Sequence, residues 1–266
     1  MSAQPRPWAL VTGGAQRLGR EIGLAFAKAG WNVFCHYQHS HEQALQTQAE
    51  IRALGVDCHL LRMDLAEPDA ASSLLAQCEA LAQTPPHCIV NNASIFVNDD
   101  AASATQEMLL QHFQVNTATP LLLANALRQR VEKLEPPTRG QFSVVHLLDQ
   151  KVHNLNPDYF SYTVSKLALE RSVALQAQAL APWVRVCGVS PGLVYLSGPQ
   201  SQSNFDVASR VNLLQQTIRP ADVAACVVFI ASNPSLNGAT LPADNGQHLV
   251  ALNRDVIWAV ESPAAP

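Results

Sequence analysis

Tyr162 and Lys166 stand four residues apart, and Asp149 precedes the tyrosine by 13 positions. A phenol, an ammonium and a carboxyl group are the set that a proton-coupled hydride transfer uses. Residues four apart on a helix share one face, so Lys166 can sit beneath Tyr162 with its charge near the hydroxyl. Moving a tyrosine from its usual value near 10 toward 7 takes roughly 4 kcal/mol. A cation about 4 Å away supplies about that much at an effective dielectric near 20. The arithmetic therefore allows a Tyr162 hydroxyl lowered toward neutrality and able to donate a proton. The pair alone is a weak signal, because a solvent-facing helix pair has the same spacing.

The elements around these residues follow from periodicity. Apolar runs predict strands at 8–12, 31–37, 56–63, 88–91, 142–148, 184–189 and 239–241. Helices are predicted at 18–29, 42–54, from about 68, 105–134 with a kink or break near Pro120, 159–181 and 220–232. Strands alternating with helices imply an α/β fold, a doubly wound parallel sheet with helices on both faces. One domain spans 1–266, with 1–7 and 259–266 as tails. In such folds ligands bind at the carboxyl ends of strands. Gly13 to Gly19, Asn91 to Phe96, Asp149 and Pro191-Gly192 each follow directly on a predicted strand, so they should meet in one crevice. After Pro191-Gly192 the chain turns polar through Ser209, which suits a mobile flap or a passive surface loop.

Thr12-Gly13-Gly14-Ala15-Gln16-Arg17-Leu18-Gly19 opens a helix straight after the first strand. Glycines there let the backbone turn tightly and approach a pyrophosphate, which a helix N-terminus stabilises. The second strand ends in His36-Tyr37-Gln38-His39-Ser40, with no carboxylate before Glu42. An acidic residue there would hold the ribose hydroxyls of NAD and repel a 2′-phosphate. Imidazole and hydroxyl donors at His36, Tyr37, His39 and Ser40 suit a phosphate, so NADPH is the expected cofactor.

With the Tyr-Lys pair, Asn91-Asn92-Ala93 and Ser190-Pro191-Gly192 in the same order, the chain resembles the short-chain dehydrogenase/reductase family over nearly its whole length. The resemblance implies a Rossmann-type fold, a nicotinamide cofactor, Tyr162 as acid and Lys166 on the nicotinamide ribose. Gly13, Arg17, Leu18, Gly19, Asp64, Leu65, Asn92, Ala93, Ser94, Pro191 and Gly192 complete the expected cofactor site. It also implies that Asn116 relays protons through water, and that two long helices pack between subunits of a homotetramer. Taken alone, Asn116 fits a helix-interior polar residue equally well, and Asp64 fits a helix cap. Two departures narrow the family: Arg17 replaces the second glycine of the turn, and Asp149 replaces the usual serine. Both, with Asn92-Ala93-Ser94-Ile95-Phe96 and His36 to Ser40, resemble the pteridine reductases and the related bacterial dihydromonapterin and alternative dihydrofolate reductases.

A pterin is a flat, polar bicycle that needs a planar partner and a few placed polar groups. The resemblance implies Phe96 stacking on one face, Ser94 and Arg17 on its edge, and Asp149, Tyr162 and Leu193 around it. An ionised aspartate would repel the oxyanion that forms as a ketone is reduced. A C=N bond instead gains a proton on nitrogen as hydride reaches carbon, which a carboxyl group can assist. Asp149 therefore points to reduction of a dihydropterin imine; its other reading is a cap before Gln150-Lys151. A carbonyl or 3-oxoacyl-thioester reductase is the enzymatic alternative, and an NADPH-binding sensor or scaffold the non-catalytic one.

Hydrophobic residues make up 48% of the chain and charged residues 14%, which suits a well-buried enzyme and excludes a disordered chain. A net charge of −4 gives no electrostatic case for nucleic acid. The amino terminus carries no apolar signal core, and no apolar run approaches the length of a membrane span. The histidines show no metal-ligand spacing. The six cysteines form no C-x-x-C pair, so reduced, buried thiols and a cytoplasmic setting are expected.

Overall fold

The computed structural model describes residues 5–135 and 139–261. Seven parallel strands form its sheet: β1 (Trp8–Val11), β2 (Asn32–Tyr37), β3 (Cys58–Arg62), β4 (Cys88–Asn91), β5 (Phe142–Leu147), β6 (Val184–Pro191) and β7 (Thr240–Ala243), in the order β3-β2-β1-β4-β5-β6-β7. Among the described residues nine α-helices accompany them: α1 (Arg17–Lys28), α2 (His41–Ala53), α3 (Ala70–Ala82), α4 (Gln106–Phe113), α5 (Thr119–Val131), α6 (Phe160–Ala179), α7 (Gln202–Ala208), α8 (Pro220–Ser232) and α9 (Val256–Ala259).

Side chains alternate across the pleat, which sorts the strands' apolar residues onto two faces. Leu10, Phe34, Ile89, Val144 and Val186 pack with Leu74, Leu75, Leu123 and Leu127 of α3 and α5. Ala9, Val11, Val33, Val90, Val145 and Val189 pack with Ile22 and Phe26 of α1 and Val223 and Val227 of α8. Both faces are covered, so the strands read as unbroken apolar runs. The order reverses between β1 and β4, and a crevice opens outside their carboxyl ends.

That switch point is sewn shut at its base. The Thr12 hydroxyl accepts from the backbone N–H of Asn92 (2.9 Å) and Ala93 (3.1 Å), while the Asn92 amide donates to the carbonyls of Thr12 (2.9 Å) and Gly13 (3.2 Å). Glycine is required at two positions. Gly13 has φ +61° with the Ala93 Cα 3.1 Å from where a Cβ would stand, and a Cβ on Gly19 would collide with the Gly13 carbonyl.

The expected break near Pro120 is a wide π-turn over Gln114–Ala118, between α4 and α5. Proline has no N–H to continue the helical ladder, and one wide turn absorbs the interruption. Two expectations are corrected. The polar stretch before Ser209 contains α7, started by Ser201, whose hydroxyl accepts from Asn204 N. The carboxyl-terminal tail begins later than position 259, because Asp255 caps α9 and that helix runs to Ala259. The outer parts of the two expected tails, 1–4 and 262–266, lie outside the described residues. No described helix is long and apolar enough to cross a membrane.

Candidate active site

The crevice is a cleft of about 950 Å³ running from the end of β2 to the start of α9. Gly13, Arg17, Leu18, Gly19, His36, Tyr37, His39, Ser40, Asp64, Leu65, Asn92, Ala93, Ser94, Phe96, Asp149, Tyr162, Pro191, Gly192 and Leu193 all line it. Of the expected site residues, Lys166 (2% exposed) and Asn116 (1% exposed) stay behind the wall.

At the inner end, the Tyr162 hydroxyl donates to Asp149 Oδ2 at 2.8 Å. Asp149 Oδ1 meanwhile accepts from the backbone N–H of Lys151 at 2.9 Å and caps the 3-10 turn Gln150–Val152. The two readings of this aspartate are therefore one arrangement: the cap holds one oxygen so that the other meets the phenol. Burial raises the Asp149 carboxyl above its ordinary range, against the hydrogen bonds from Lys151 N–H and Tyr162 that favour its ionised form.

The expected lowering of Tyr162 is overturned. Burial, and then the Asp149 carboxylate beside it, push the phenol well above 10. Lys166 does not offset them: its Nζ donates to the Leu147 carbonyl at 2.7 Å and lies 5.8 Å from the Tyr162 ring centre. Burial lowers the Lys166 ammonium itself to about 8. Burial thus favours the protonated form of Asp149, and Tyr162 is its hydrogen-bond partner.

Phe96 stacks on Tyr159 (ring centres 4.1 Å apart, planes at 17°) and meets Tyr162 edge-on at 4.7 Å. Residues 96, 149 and 162 therefore surround one space. Asn116 is committed to the scaffold: it exchanges hydrogen bonds with the Ile95 backbone at 2.8 and 2.9 Å and donates to Ser165 Oγ at 3.0 Å. This is its helix-interior reading, and it fixes the strand-to-Phe96 segment. The Ser94 hydroxyl sits 3.2 Å from Asn116 Oδ1.

At the outer end, His36 is moved from the phosphate grip to the support beneath the turn. Its ring is buried; Nδ1 accepts from Gly13 N at 3.1 Å, and Nε2 faces the Met63 carbonyl at 3.1 Å. Burial lowers it to about 4, so it is neutral and both nitrogens are taken. The Tyr37 hydroxyl pairs with His41 Nδ1 at 2.7 Å. Asp64 Oδ1 accepts from Ala66 N at 2.9 Å in the turn ahead of α3, whose cap position is Asp69 and not Asp64, and the residue faces the cleft. His39 and Ser40 keep their places at this end.

Arg17 holds φ +51°, the left-handed backbone that a glycine would adopt freely. Its guanidinium crosses the cleft to the Leu196 carbonyl at 2.9 Å and lies 5.2 Å from the Tyr195 ring centre. Arg17→Gly and Arg17→Ala both lose these contacts, but only glycine fits the backbone. The glycine variant is expected to be more stable by about 1 kcal/mol in urea titrations.

Sequence reasoning missed Tyr159, Lys151, Gln247 and Asp255. Gln247 Oε1 accepts from Leu193 N at 2.8 Å, in space open only because residue 192 is glycine. Tyr159 had a signal, an aromatic one helical turn before Tyr162. Lys151 and Asp255 had none, since their meeting depends on the tertiary path of the chain between β7 and α9. Among the described residues no cluster of three or more His, Cys, Asp or Glu could hold a metal.

A family profile described as enoyl-(acyl carrier protein) reductase matches residues 13–248. The fold superposes on FolM alternative dihydrofolate reductase 1 from Brucella canis, solved with NADP, with TM-score 0.84 and 32% identity, covering 91% of this chain and 94% of that one. Pteridine reductase 1 of Leishmania tarentolae is 30% identical over 281 residues, covering 91% of this chain and 96% of its own length. Dihydromonapterin reductase of Shigella sonnei is 25% identical, covering 93% and 98% respectively. With these matches spanning the sheet and the cleft alike, the chain belongs to the short-chain dehydrogenase/reductase family, where it is related to the pteridine, dihydromonapterin and alternative dihydrofolate reductases.

Proposed function

We propose that this protein is an NADPH-dependent reductase that converts a dihydropterin, of the dihydrobiopterin, dihydromonapterin or dihydrofolate type, to the tetrahydropterin. The observation that carries the reading is the Tyr162–Asp149 hydrogen bond at the edge of Phe96. A flat ring lying against Phe96 would present its edge to both acids.

The cleft suits a phosphorylated dinucleotide. The first turn of α1 has no side-chain cap, so its backbone N–H groups are free to meet a pyrophosphate. Gln38, His39 and Ser40 follow β2 in the cleft wall, with no carboxylate among them to repel a 2′-phosphate. Relatives solved with NADP support the same assignment. When bound, NADPH supplies the hydride. The chain's own residues supply the rest, and Phe96 orients the ring. With Asp149 protonated at Oδ2, that O–H would donate to Tyr162 Oη in place of the bond the phenol now makes, the phenol giving its own proton to the ring nitrogen beside the imine carbon and taking the one from Asp149. Lys166 adds positive charge behind the phenol while it stays protonated.

A carbonyl or 3-oxoacyl-thioester reductase would leave the Asp149 carboxylate facing a developing oxyanion, and a scaffold would have no use for a paired acid. Rates of NADPH oxidation separate these readings. A 7,8-dihydropterin is expected to be turned over about 100-fold faster than a β-keto thioester; the reverse order would remove the reading, and binding of NADPH without turnover would favour the scaffold.

The homotetramer rests on exposed apolar side chains: Leu110, Phe113 and Leu122 along α4 and α5, and Val164 and Leu175 on α6. Sedimentation equilibrium is expected to return four chain masses. A single chain mass would dispose of this assembly.

A further inference from the structure

Lys151 is where the acid, the aromatic platform and the carboxyl-terminal segment meet. It is 2% exposed, and its Nζ donates to Asn156 Oδ1 at 2.6 Å and to Asp255 Oδ2 at 3.0 Å. Its backbone N–H is the one that holds Asp149 Oδ1. The same Nζ lies 5.5 Å from the centre of the Tyr159 ring on which Phe96 stacks. Asp255, 6% exposed, is fixed in turn: its Oδ1 caps α9 through Ile257 N, and its backbone N–H donates to Asp158 Oδ2 at 2.7 Å. Arg254 clamps Asp158 through both side-chain oxygens.

Burying an ion pair is poor economy for stability alone, since apolar residues of similar volume usually do as well. Its placement suggests another use. We propose that the buried Lys151–Asp255 pair is the positioning device for the catalytic acid: it holds the turn that fixes the Asp149 carboxyl against Tyr162 and sets two opposed charges beside it. The proposal rests on Asp149 as the acid of the reaction above.

Four groups face Asp149: Tyr162 and Lys166 from α6, Lys151 from the 3-10 turn, and Asp255 from the start of α9. Lys151 favours the ionised carboxylate and Asp255 the protonated form, and both influences act in the direction of their charges. The pair's two charges therefore oppose each other at Asp149. Deleting one should shift its titration one way, deleting the other should shift it back, and deleting both should nearly cancel. An influence carried by packing alone would show no such opposition, and a tie without a part in catalysis would leave the pH profile of kcat unmoved by either change.

The test is a 13C NMR titration of the Asp149 carboxyl in the ligand-free protein, assigned by its loss in Asp149→Ser. Lys151→Met is expected to raise the midpoint by about one pH unit and Asp255→Asn to lower it by about one. The double variant should return to within a few tenths of the parent, as should the charge-conserving Lys151→Arg. Should Lys151→Met fail to fold, the downward shift in Asp255→Asn must still appear. Singles that both leave the midpoint unmoved, or move it the same way, overturn the proposal. The titration needs no substrate, so it decides the matter even if no dihydropterin is turned over. Where turnover is measured, the high-pH fall of kcat should move with the NMR midpoint.

Discussion

Asp149→Ser is expected to lower kcat for dihydropterin reduction about 10³-fold while the Kd for NADPH stays within about threefold. Serine is itself a good helix cap, so the Lys151 N–H keeps a partner and the 3-10 turn survives. What disappears is the carboxyl proton. The loss corresponds to about 4 kcal/mol of barrier, the size expected when a positioned acid is removed rather than when a fold is loosened. Serine can also donate to a carbonyl oxygen, so ketone reduction by the variant should rise relative to dihydropterin reduction. Steady-state kinetics on both substrates, with cofactor binding followed by fluorescence, check all three expectations. A variant with parental dihydropterin turnover would contradict the assignment of Asp149.

Tyr162→Phe has the second large effect, a fall in kcat of roughly 10² to 10⁴-fold, and it carries a sign in its pH profile. An acid must be protonated to act, so activity is full below the midpoint of Asp149 and is lost as pH rises through it. The midpoint is raised by burial but held down in part by the Tyr162 hydroxyl, which hydrogen-bonds the ionised form. Removing that hydroxyl raises the midpoint further, so the residual activity of Tyr162→Phe should persist to higher pH than the parent's. Lys166, lowered to about 8, bounds the window in both proteins, because its charge fades above that value. A kcat profile that shifts to lower pH in Tyr162→Phe would refute the Asp149–Tyr162 coupling.

The architecture was legible because its strands are buried on both faces and stand out as apolar runs between amphipathic helices. Seven strands appear near the expected positions, and each loop expected to carry chemistry lies at a strand's carboxyl end. Local chemistry was legible for the same reason: Gly13 and Asp149 follow strand ends and Arg17 opens the helix after β1, places that the pattern marks. What escaped depends on distance in sequence. The lowering of Tyr162 was argued from one neighbour four residues away, and it failed once burial and a carboxylate 13 residues upstream were included. His36 looked like an exposed donor because nothing local shows that Gly13 and Met63 enclose its ring. The Lys151–Asp255 pair joins residues 104 positions apart and has no periodic signature. Arg17 shows a further limit: a residue type can flag a site while its left-handed backbone becomes visible only in three dimensions.

The proposed reaction requires a flat imine to lie against Phe96 with its reacting nitrogen turned to the Asp149–Tyr162 pair. A crystal structure with NADP+ and a dihydropterin tests it most directly. The expected result is the bicycle packed between Phe96 and the nicotinamide, with the nitrogen beside the imine carbon within hydrogen-bond reach of Tyr162 Oη, Asp149 Oδ2 or a water held between them. A pterin bound elsewhere, or one whose imine edge faces away from both residues, would contradict the account.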